Sequence, residues 1–490
     1  MKSELVLLLP IALPVLCGCA AAIFKMEKNV RLLNLFTAAS LILTAGAAAA
    51  AYAVGGSLTL GRIAPNVALV LSADGISGFF AMLESVLMLL AAVFSFRYMK
   101  NSRHLGRFYS FWLICLGMLL GADFSGNIIT LYLFYEMVTL SSFPLVMHDG
   151  TDEAVSAGKK YLFYSVAGAF LALFGIAVAV SFGGGANFAG GGVFSTKTLE
   201  DNRQLLLAAE GCMILGFGAK CGIFPLHGWL PTAHPAAPAP ASAALSGTIT
   251  KLGVLAVIRS VFYLFGADFV RGTWVQTAWL ILACVTVFMG SMLAWREKLL
   301  KKRLAWSTVS QISYILLGLA FLTPECFTGA IMHIAAHACI KNGLFLFAGG
   351  VIFSTGVTRV DELRGAGKKL PGLFVCLVIF AAALVGVPPA SAFLSKWYLA
   401  SGALASGMGV FDWLVPVILL VSALLTAGYL FPPFIEAFFP GKKEFSVTVK
   451  EKPGMLMLVP AAILAVGCVL CGIFPDGITA FAESVCGLVF

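Results

Sequence analysis

The sequence predicts an all-α polytopic membrane protein with about 14 transmembrane helices. Three observations support this fold class: 60% of the 490 residues are hydrophobic, only 11% are charged, and the mean hydropathy is +0.97. A soluble protein of this length needs more charge to cover its surface. Apolar runs near the roughly 20 residues that span a bilayer recur along the chain. We expect one membrane domain, residues 1–490.

The predicted spans follow the apolar runs. They lie near residues 5–24, 32–54, 75–97, 108–121, 125–147, 161–182, 205–225, 241–265, 274–295, 304–322, 327–354, 371–400 (broken), 413–435 and 455–474. The first run lacks a basic leading region and an Ala-x-Ala site, so we interpret it as a span and not as a cleaved signal.

Basic residues are concentrated in alternate loops. Loops after odd-numbered spans hold Lys25, Lys28, Arg31, Arg97, Lys100, Arg103, Arg107, Lys159, Lys160, Arg296, Lys298, Lys301, Lys302, Arg303, Arg359, Arg364, Lys368, Lys369, Lys442, Lys443, Lys450 and Lys452. The other loops hold Arg62, Lys197, Arg203 and Arg271. The positive-inside rule then predicts a multi-pass protein of the cell inner (plasma) membrane with both termini on the non-cytoplasmic side. The net charge of +9 is spread over these short loops and does not indicate nucleic-acid binding.

Two further features have simple interpretations. The loop at 183–203 contains GGGANFAGGG, which predicts mobility. The 12 cysteines are scattered through apolar helices, and Cys468 and Cys471 form a C-x-x-C with no second pair nearby. Packing is the favoured role for these cysteines, with redox or metal use as the alternative.

The stretch from 216 to 259 organises the chain. Prolines at 225, 231, 235, 238 and 240 interrupt an apolar helical sequence that also contains Lys220, Lys251, His227 and His234. A helix broken at membrane depth is tolerated only where it is buried in protein or lines a water-filled cavity. A lysine there costs roughly 2.5–3.5 kcal/mol, so it indicates function. We expect ion or substrate handling inside the membrane.

A second helix break, at Pro388 and Pro389, predicts an internal repeat. Each half, approximately 105–265 and 274–435, contains five spans, and an odd number of spans makes the halves inverted. Helices at 1–100 and 455–474 would be peripheral. The lysines of the two halves do not align in sequence, because Lys220 precedes its proline and Lys396 follows its pair.

Ionisable residues occur deep within the predicted spans. They are Glu136, Lys220, Lys251, His333, His337, Lys341 and Lys396. Their residue types and depth predict a proton path in that order, because lysines paired with movable carboxylates are switchable proton sites and histidines bridge at near-neutral pKa. Lysines outnumber carboxylates, which favours protons over sodium, since sodium needs several oxygen ligands.

Two structural alternatives remain open for these charges. Lone charges near helix ends can extend to the interface, which leaves the role of Glu84 undecided between structure and function. Glu136 and Lys220 could also form a fixed ion pair that only holds helices together.

The sequence resembles a known family over about residues 70–435. The motifs are FPLVMHDGTDEAVSAGKKYL after Glu136, GFGAKCGIFPLHGWLPTAHPAAPAPASAALSGTITKLG, LKKRLAWSTVSQISYILLG, HIAAHACIKNGLFLFAGG and VGVPPASAFLSKWYL. They are similar to the antiporter-like subunits of respiratory complex I, Mrp-type sodium/proton antiporters and membrane-bound energy-converting hydrogenases. The resemblance implies 14 helices, inverted five-helix repeats and proton conduction along a central polar axis.

Residue by residue, the resemblance implies roles for the same side chains. Glu136 matches the acidic partner, Lys220 the broken-helix lysine and Lys251 the connecting lysine. The central bridge matches His333, His337 and Lys341, and the terminal lysine of the second broken helix matches Lys396, where some members carry glutamate. We do not expect equivalence to the largest complex I member, because the sequence shows no long lateral helix of its kind.

The favoured function is therefore a proton-translocating subunit of a multisubunit redox-driven pump. No cofactor is expected in this chain; iron–sulfur or nickel–iron centres are expected on soluble redox partner subunits. Sister antiporter-like or small hydrophobic membrane subunits are the other expected partners. The alternatives are a subunit of a sodium/proton antiporter without a redox partner, a structural scaffold subunit, and an independent solute transporter.

Overall fold

A computed structural model describes residues 4–64, 67–441 and 447–490. Throughout this part of the chain the backbone is helical apart from loops and one β-hairpin. Helices α1–α6 and strands β1 and β2 come first: α1 Leu9–Ile23, α2 Val30–Val54, β1 Gly56–Ala64, β2 Val67–Ala73, α3 Gly75–Tyr98, α4 Leu105–Asp123, α5 Ile128–Val146 and α6 Asp152–Ser181. Short 3₁₀ helices occupy Glu4–Leu8, Met26–Lys28 and Val360–Glu362.

The remaining helices are more interrupted. They are α7 Thr196–Asp201, α8 Arg203–Cys221, α9 Leu230–Ala236, α10 Ala239–Ala244, α11 Thr250–Ile258, α12 Ala267–Val270, α13 Trp274–Arg296, α14 Leu300–Ala320, α15 Pro324–Thr355, α16 Ala366–Lys369, α17 Pro371–Val385, α18 Ser391–Leu404, α19 Val410–Phe438, α20 Gly454–Ile473 and α21 Asp476–Val489. Two π-helical segments, Leu245–Ile249 and Arg259–Phe265, flank α11, so 239–265 is one continuous helical rod.

The predicted all-α membrane fold is confirmed. Within the described residues, 12 helices are long and apolar enough to cross a membrane. The predicted count of 14 is not confirmed. The two other predicted spans coincide with α14, which is more polar, and with α17 and α18, which are each too short alone. The inverted-repeat organisation stays a prediction.

The sequence did not predict the β-hairpin between α2 and α3. Strand β1 pairs antiparallel with β2. The hairpin also bonds to the turn between α4 and α5, where the Ser72 amide donates to the Phe124 carbonyl at 2.7 Å and the Gly126 amide donates to the Val70 carbonyl at 2.8 Å. We call the end of the helix bundle that carries β1 and β2 the hairpin face.

The opposite end, the basic face, gathers the lysine-rich loops. Its loops contact one another: the Gly106 amide donates to Glu27 at 3.0 Å, and the segments at Leu299 and Arg359 form a β-bridge. Two of the lysines counted in these loops, Lys442 and Lys443, lie outside the described residues. The described loops after odd-numbered spans thus meet at one face.

The loop at 183–203 is bonded to the rod 239–265. Amides of Ala189, Gly191 and Val193 donate to the carbonyls of Tyr263, Phe262 and Leu264, which lie near the end of the second π segment. These carbonyls have no partner further along the helix, so the loop satisfies them. Composition predicted a mobile loop, and the structure places α7 and this row of bonds there.

Both predicted helix breaks are present. At the first, α8 ends at Cys221 and Gly222 takes a left-handed conformation with φ of 78°. At the second, α17 ends at Val385 and Gly386 takes φ of 92°. Glycine is the usual residue at this position of a helix end, because a side chain would be strained there. The breaks leave helix ends, with their backbone carbonyls, inside the bundle.

Candidate functional site

Lys220 lies in the last turn of α8, just before the first break. Its side chain is fully buried. The ammonium donates to the Thr139 hydroxyl at 2.7 Å and lies 4.4 Å from the centre of the Tyr135 ring. Thr139 and Tyr135 are both on α5, one turn apart, so α5 supplies a hydroxyl and an aromatic face to one lysine. This environment holds a cation without a direct ion pair.

Glu136 is on α5 beside Tyr135, but it does not contact Lys220 within ion-pair distance in the described structure. Its charge acts on the lysine only through space. The Glu136 side chain is half-buried, and one carboxyl oxygen has no hydrogen-bond partner. Around it, Leu133, Met137 and Leu140 are exposed. Glu136 therefore sits between the interior and the lateral surface, and the fixed ion pair is not formed.

Lys251 and His337 form the direct link at the centre. The Lys251 ammonium is 2.8 Å from His337 Nδ1 and also donates to the Ser246 carbonyl. Lys251 is 1% exposed and His337 fully buried. Because a lysine ammonium has no acceptor, Nδ1 of His337 must accept this bond when Lys251 is charged. The imidazole is then positioned to receive a proton from the lysine.

His333 extends this link toward the second break. Its ring stacks on that of His337 with 6.0 Å between centroids, one helical turn along α15. His333 Nδ1 is 2.8 Å from the Ser395 hydroxyl, next to Lys396 on α18. The other ring nitrogen of both histidines has no hydrogen-bond partner.

Lys396 closes the second break. Its ammonium donates to the carbonyls of Leu384 and Val385, at 2.6 and 3.0 Å, which are the last residues of α17. It also lies 5.2 Å from the centre of the Tyr314 ring, whose other neighbour is His333. A cation at a helix C-terminus is favoured by the helix dipole and by the unpaired carbonyls.

Lys341 lies on the other side of the histidines. Its ammonium donates to the Ser307 hydroxyl at 2.5 Å and to the Leu304 carbonyl at 3.2 Å on α14. The predicted order placed Lys341 between the histidines and Lys396. The structure brings His333 to Ser395 and Lys396, and it brings Lys341 to α14, so the contacts run from Lys251 through His337 and His333 toward Lys396.

A second group of buried ionisable side chains was not predicted as a site from the sequence. Glu84 on α3 and Asp123 at the end of α4 are 1% and 0% exposed, and the two carboxyl groups are close enough to influence each other. None of their four oxygens has a hydrogen-bond partner in the described structure. Asp123 is the last residue of its helix and resembles an ordinary interface aspartate in sequence, which is why depth alone did not reveal it.

The sequence also did not indicate Arg259 as a site residue. It is 2% exposed and forms a two-point ion pair with Asp74, with bonds of 2.6 and 2.9 Å. Asp74 caps the N-terminus of α3 and remains about one-third exposed at the hairpin face. The pair thus joins the rod 239–265 to α3.

Lys301, counted among loop lysines, is in fact buried at 8% exposure. Its ammonium donates to the Pro235 and Ala237 carbonyls. It lines a cavity of about 350 Å³ that also reaches Asp149 and Glu153 near the basic face. His234, fully buried with both ring nitrogens unpartnered, is near enough for the Lys301 charge to act on it. Buried polar groups therefore lie beside this cavity near the basic face.

Metal ligation is not indicated in the described part of the chain. No group of three or more His, Cys, Asp or Glu side chains there could hold a metal ion. Cys468 is buried and Cys471 exposed on α20, and both thiols are free.

Fold and site together define a class: a multi-pass integral membrane protein in which buried lysines and histidines connect two interrupted helices. Comparison with known proteins gives the family. The family described as "NADH:quinone oxidoreductase/Mrp antiporter, TM" matches residues 125–426, and the chain belongs to it. All seven predicted path residues lie within this range, so the match covers the whole axis from Glu136 to Lys396.

Three curated relatives show how widely this chain type is shared. NADH-quinone oxidoreductase subunit N of Desulforudis audaxviator is 33% identical over 83% of this chain and 82% of the relative. A Na⁺/H⁺ antiporter subunit of Bacillus subtilis is 29% identical over 97% and 95%. Hydrogenase-4 component B of Escherichia coli is 29% identical over 82% and 62%.

Solved structures share the fold. A chain of the Mrp complex from Dietzia has a TM-score of 0.85 at 22% identity, covering 100% of this chain and 98% of that one. A chain of respiratory complex I from Thermus thermophilus has a TM-score of 0.81 at 24% identity, covering 99% and 100%. The chain is therefore an antiporter-like membrane subunit in sequence and fold, as the resemblance predicted.

Proposed function

We propose that this chain is the proton-translocating subunit of a multisubunit redox-driven ion pump of the energy-converting hydrogenase or complex I type, located in the cell inner membrane. Protons would move along Glu136, Lys220, Lys251, His337, His333 and Lys396. Lys341 would exchange protons with this path from beside it. The supporting observation is the contact between Lys251 and His337 at 2.8 Å, continued by stacked His333 toward Lys396. Each of these groups can release and accept a proton, so the contact is a transfer step.

Uptake would start at the basic face. The cavity bordered by Asp149, Glu153 and Lys301 would give water access, and His234, which is near enough to feel the charges of Lys301 and Lys251, would pass the proton inward. The charge asymmetry of the loops makes this face cytoplasmic and puts both termini on the opposite side. Buried polar atoms without protein partners, such as both nitrogens of His234, are ordinarily satisfied by water, which would complete the relay.

Coupling would act at Glu136. This carboxylate lies beside the exposed apolar side chains Leu133, Met137 and Leu140, a surface suited to a neighbouring membrane subunit. A charge moved in that neighbour would draw Glu136 toward or away from Lys220, and the proton on the lysine would be pushed inward. Iron–sulfur or nickel–iron centres would reside on partner subunits that supply the redox energy.

A second candidate function is a subunit of a sodium/proton antiporter without a redox partner. The observation that favours it is the antiporter relative from Bacillus subtilis, whose match covers 97% of this chain. A structural scaffold remains the third possibility, and it predicts that charge-removing variants harm assembly and leave flux intact.

The path is tested by removing its charges in the intact complex reconstituted into vesicles. We expect Lys220→Ala and Glu136→Gln to lower proton flux about ten-fold or more, equivalent to about 1.4 kcal/mol in barrier, with the complex still assembled. Lys197→Ala is the matched control, because Lys197 is exposed in the loop that carries α7. Undiminished flux in assembled Lys220→Ala would contradict the proposal.

The two candidate functions are separated by purification from native membranes with metal analysis and mass spectrometry. Companions that carry iron–sulfur or nickel centres would establish the redox-driven pump. Only small hydrophobic companions without metal, together with sodium flux in vesicles, would establish the antiporter.

A further inference from the structure

Glu84, Asp123, Arg259 and Asp74 lie in a line from the centre of the bundle to the hairpin face. The proposed axis does not use any of them. Asp74 and Glu84 are ten residues apart on α3, a rise of about 15 Å, and Arg259 and Lys251 are eight residues apart on the rod 239–265, about 12 Å. The Arg259–Asp74 ion pair fixes one end of both helices at the same level. Glu84 and Lys251 therefore lie at similar depth.

The groups along this line are neighbours within the bundle. Arg259 bonds Asp74 directly, and the buried carboxyl groups of Glu84 and Asp123 lie close enough for the charges of Lys251 and Arg259, respectively, to act on them. Side chains of a helix tilt toward its N-terminus, and the N-terminus of α3 is at the hairpin face, so Glu84 leans toward Asp123. The series ends at Asp74, which is about one-third exposed at the hairpin face.

The carboxyl oxygens of Glu84 and Asp123, which have no hydrogen-bond partner, indicate that these groups bind a proton or a cation. A carboxyl group buried without a hydrogen-bond donor is costly when charged, so it is usually protonated or bound to a cation. Glu84 and Asp123 together present four such oxygens and both side chains are nearly inaccessible. Arg259 stays protonated throughout and supplies a fixed charge near Asp123.

We propose that Glu84 and Asp123 form a transverse proton branch that connects Lys251 with the hairpin face, ending at the Arg259–Asp74 pair. In each passage the Glu84 carboxylic acid gives its proton to the Asp123 carboxylate, and the proton leaves past the partly exposed Asp74 to water. The Lys251 ammonium then reprotonates the Glu84 carboxylate and is left as a neutral amine. No oxidant or reductant takes part.

This branch rests on the proposed function, because it needs a proton on Lys251. The test uses Glu84→Gln and Asp123→Asn in the intact complex, with proton flux in vesicles as readout. We expect each to lower flux about ten-fold or more while the complex assembles normally. The matched control is Glu210→Gln: Glu210 is equally buried, but its contact is the Ser260 hydroxyl at 3.1 Å and it lies off the branch.

Flux retained in assembled Glu84→Gln and Asp123→Asn would overturn the branch. If those variants retain proton flux while Lys220→Ala loses it, the central path is supported and the branch is contradicted. If Lys220→Ala itself retains proton flux, the proposed function is contradicted.

A variant that fails to assemble is replaced by a measurement on the unaltered complex. A hydrophobic carbodiimide modifies protonated carboxyl groups, and mass spectrometry locates the adduct. An adduct on Glu84 or Asp123 that grows in parallel with the loss of flux supports the branch. Complete labelling of Glu136 with neither branch residue modified contradicts it.

Discussion

At Lys251, one ammonium group is held between an acceptor that can take its proton and an acceptor that cannot. His337 Nδ1 is a base, whereas the Ser246 carbonyl only stabilises the charge. Ser246 also bonds Thr308 at 2.8 Å, next to Ser307, the partner of Lys341. Adjacent residues of α14 thus bond Lys341 and the serine that bonds Lys251.

Replacing His337 separates its proton-carrying role from its bonding role. In His337→Phe, Lys251 loses one of two acceptors, and we expect stability to fall by about 1–3 kcal/mol and proton flux to be lost. Thermal unfolding of the purified complex and flux in vesicles measure the two effects.

The matched variant is His337→Gln. Its amide oxygen can still accept from Lys251 but cannot carry a proton at neutral pH. We expect stability near that of the unaltered protein together with lost flux. Full flux in His337→Gln would show that the imidazole is not a relay.

Among the helices, each of the two breaks has one lysine beside it, and the two lysines are held in different ways. Lys220 belongs to the last turn of α8, whereas Lys396 comes from α18 and reaches back to the last carbonyls of α17. The Lys396 ammonium thus lies at the C-terminal end of α17, where the helix dipole favours a cation. The Lys220 ammonium is held instead by Thr139 and the Tyr135 ring of α5.

The position of Lys220 depends on how closely α8 packs against α6. A Cβ atom added at Gly216 would come within 2.5 Å of the Gly168 carbonyl oxygen and 2.6 Å of the Ala172 amide nitrogen. Small residues at a membrane helix crossing permit this approach of two backbones. Neither backbone atom can move aside without shifting a helix.

We therefore expect Gly216→Ala to destabilise the protein by about 1–3 kcal/mol and to lower proton flux, since Lys220 is one turn further along α8. Thermal unfolding and vesicle flux measure both. The control is Gly46→Ala on α2, where an added Cβ meets no atom within 4 Å. Alanine is the better helix former, so this control should be neutral or slightly stabilising. Equal behaviour of the two variants would contradict the packing argument.

Across the molecule as a whole, one carboxylate connects distant parts of the chain at the basic face. Glu451, in the segment before α20, bonds Arg97 and Lys100 near the end of α3. The Lys450 amide beside it donates to the Ser354 carbonyl at 2.8 Å. Helix α20 is thereby attached to α3 and α15.

This attachment should depend on pH. Bonds to Lys100 and Arg97 lower the pKa of Glu451 below its usual value, so the ion pair stabilises the folded state at neutral pH and is lost as the pH falls through that lowered pKa. We expect Glu451→Gln to unfold at a lower temperature than the unaltered protein at pH 7, with the gap closing under acidic conditions. Because the group is solvent-accessible, the gap should be small.

The control is Glu483→Gln on α21, an exposed glutamate without an ion pair in the described structure. Its unfolding temperature should follow that of the unaltered protein at every pH. A gap for Glu451→Gln that persists unchanged at acidic pH would show that the loss is not electrostatic.

Sequence alone is enough to predict the membrane class, the position of most helices, the two breaks and the identity of most buried ionisable side chains. These follow from local physics: hydropathy over about 20 residues, the missing donor of proline and the cost of a charge in an apolar run. The sequence did not predict the β-hairpin, because its two strands are too short to show the apolar run of a membrane span. It did not predict α21, because this helix is too short to span a bilayer and is amphipathic.

The packing of the helices alone decides which of these ionisable side chains contact one another. Packing separates Glu136 from Lys220, joins Lys251 to His337, turns Lys341 toward α14, and brings Glu84 near Asp123. Such contacts depend on the rotation and depth of each helix relative to its neighbours, which are set by close packing at sites such as Gly216. Spacing along one helix restricts which side chains share a face, but it does not say what that face touches.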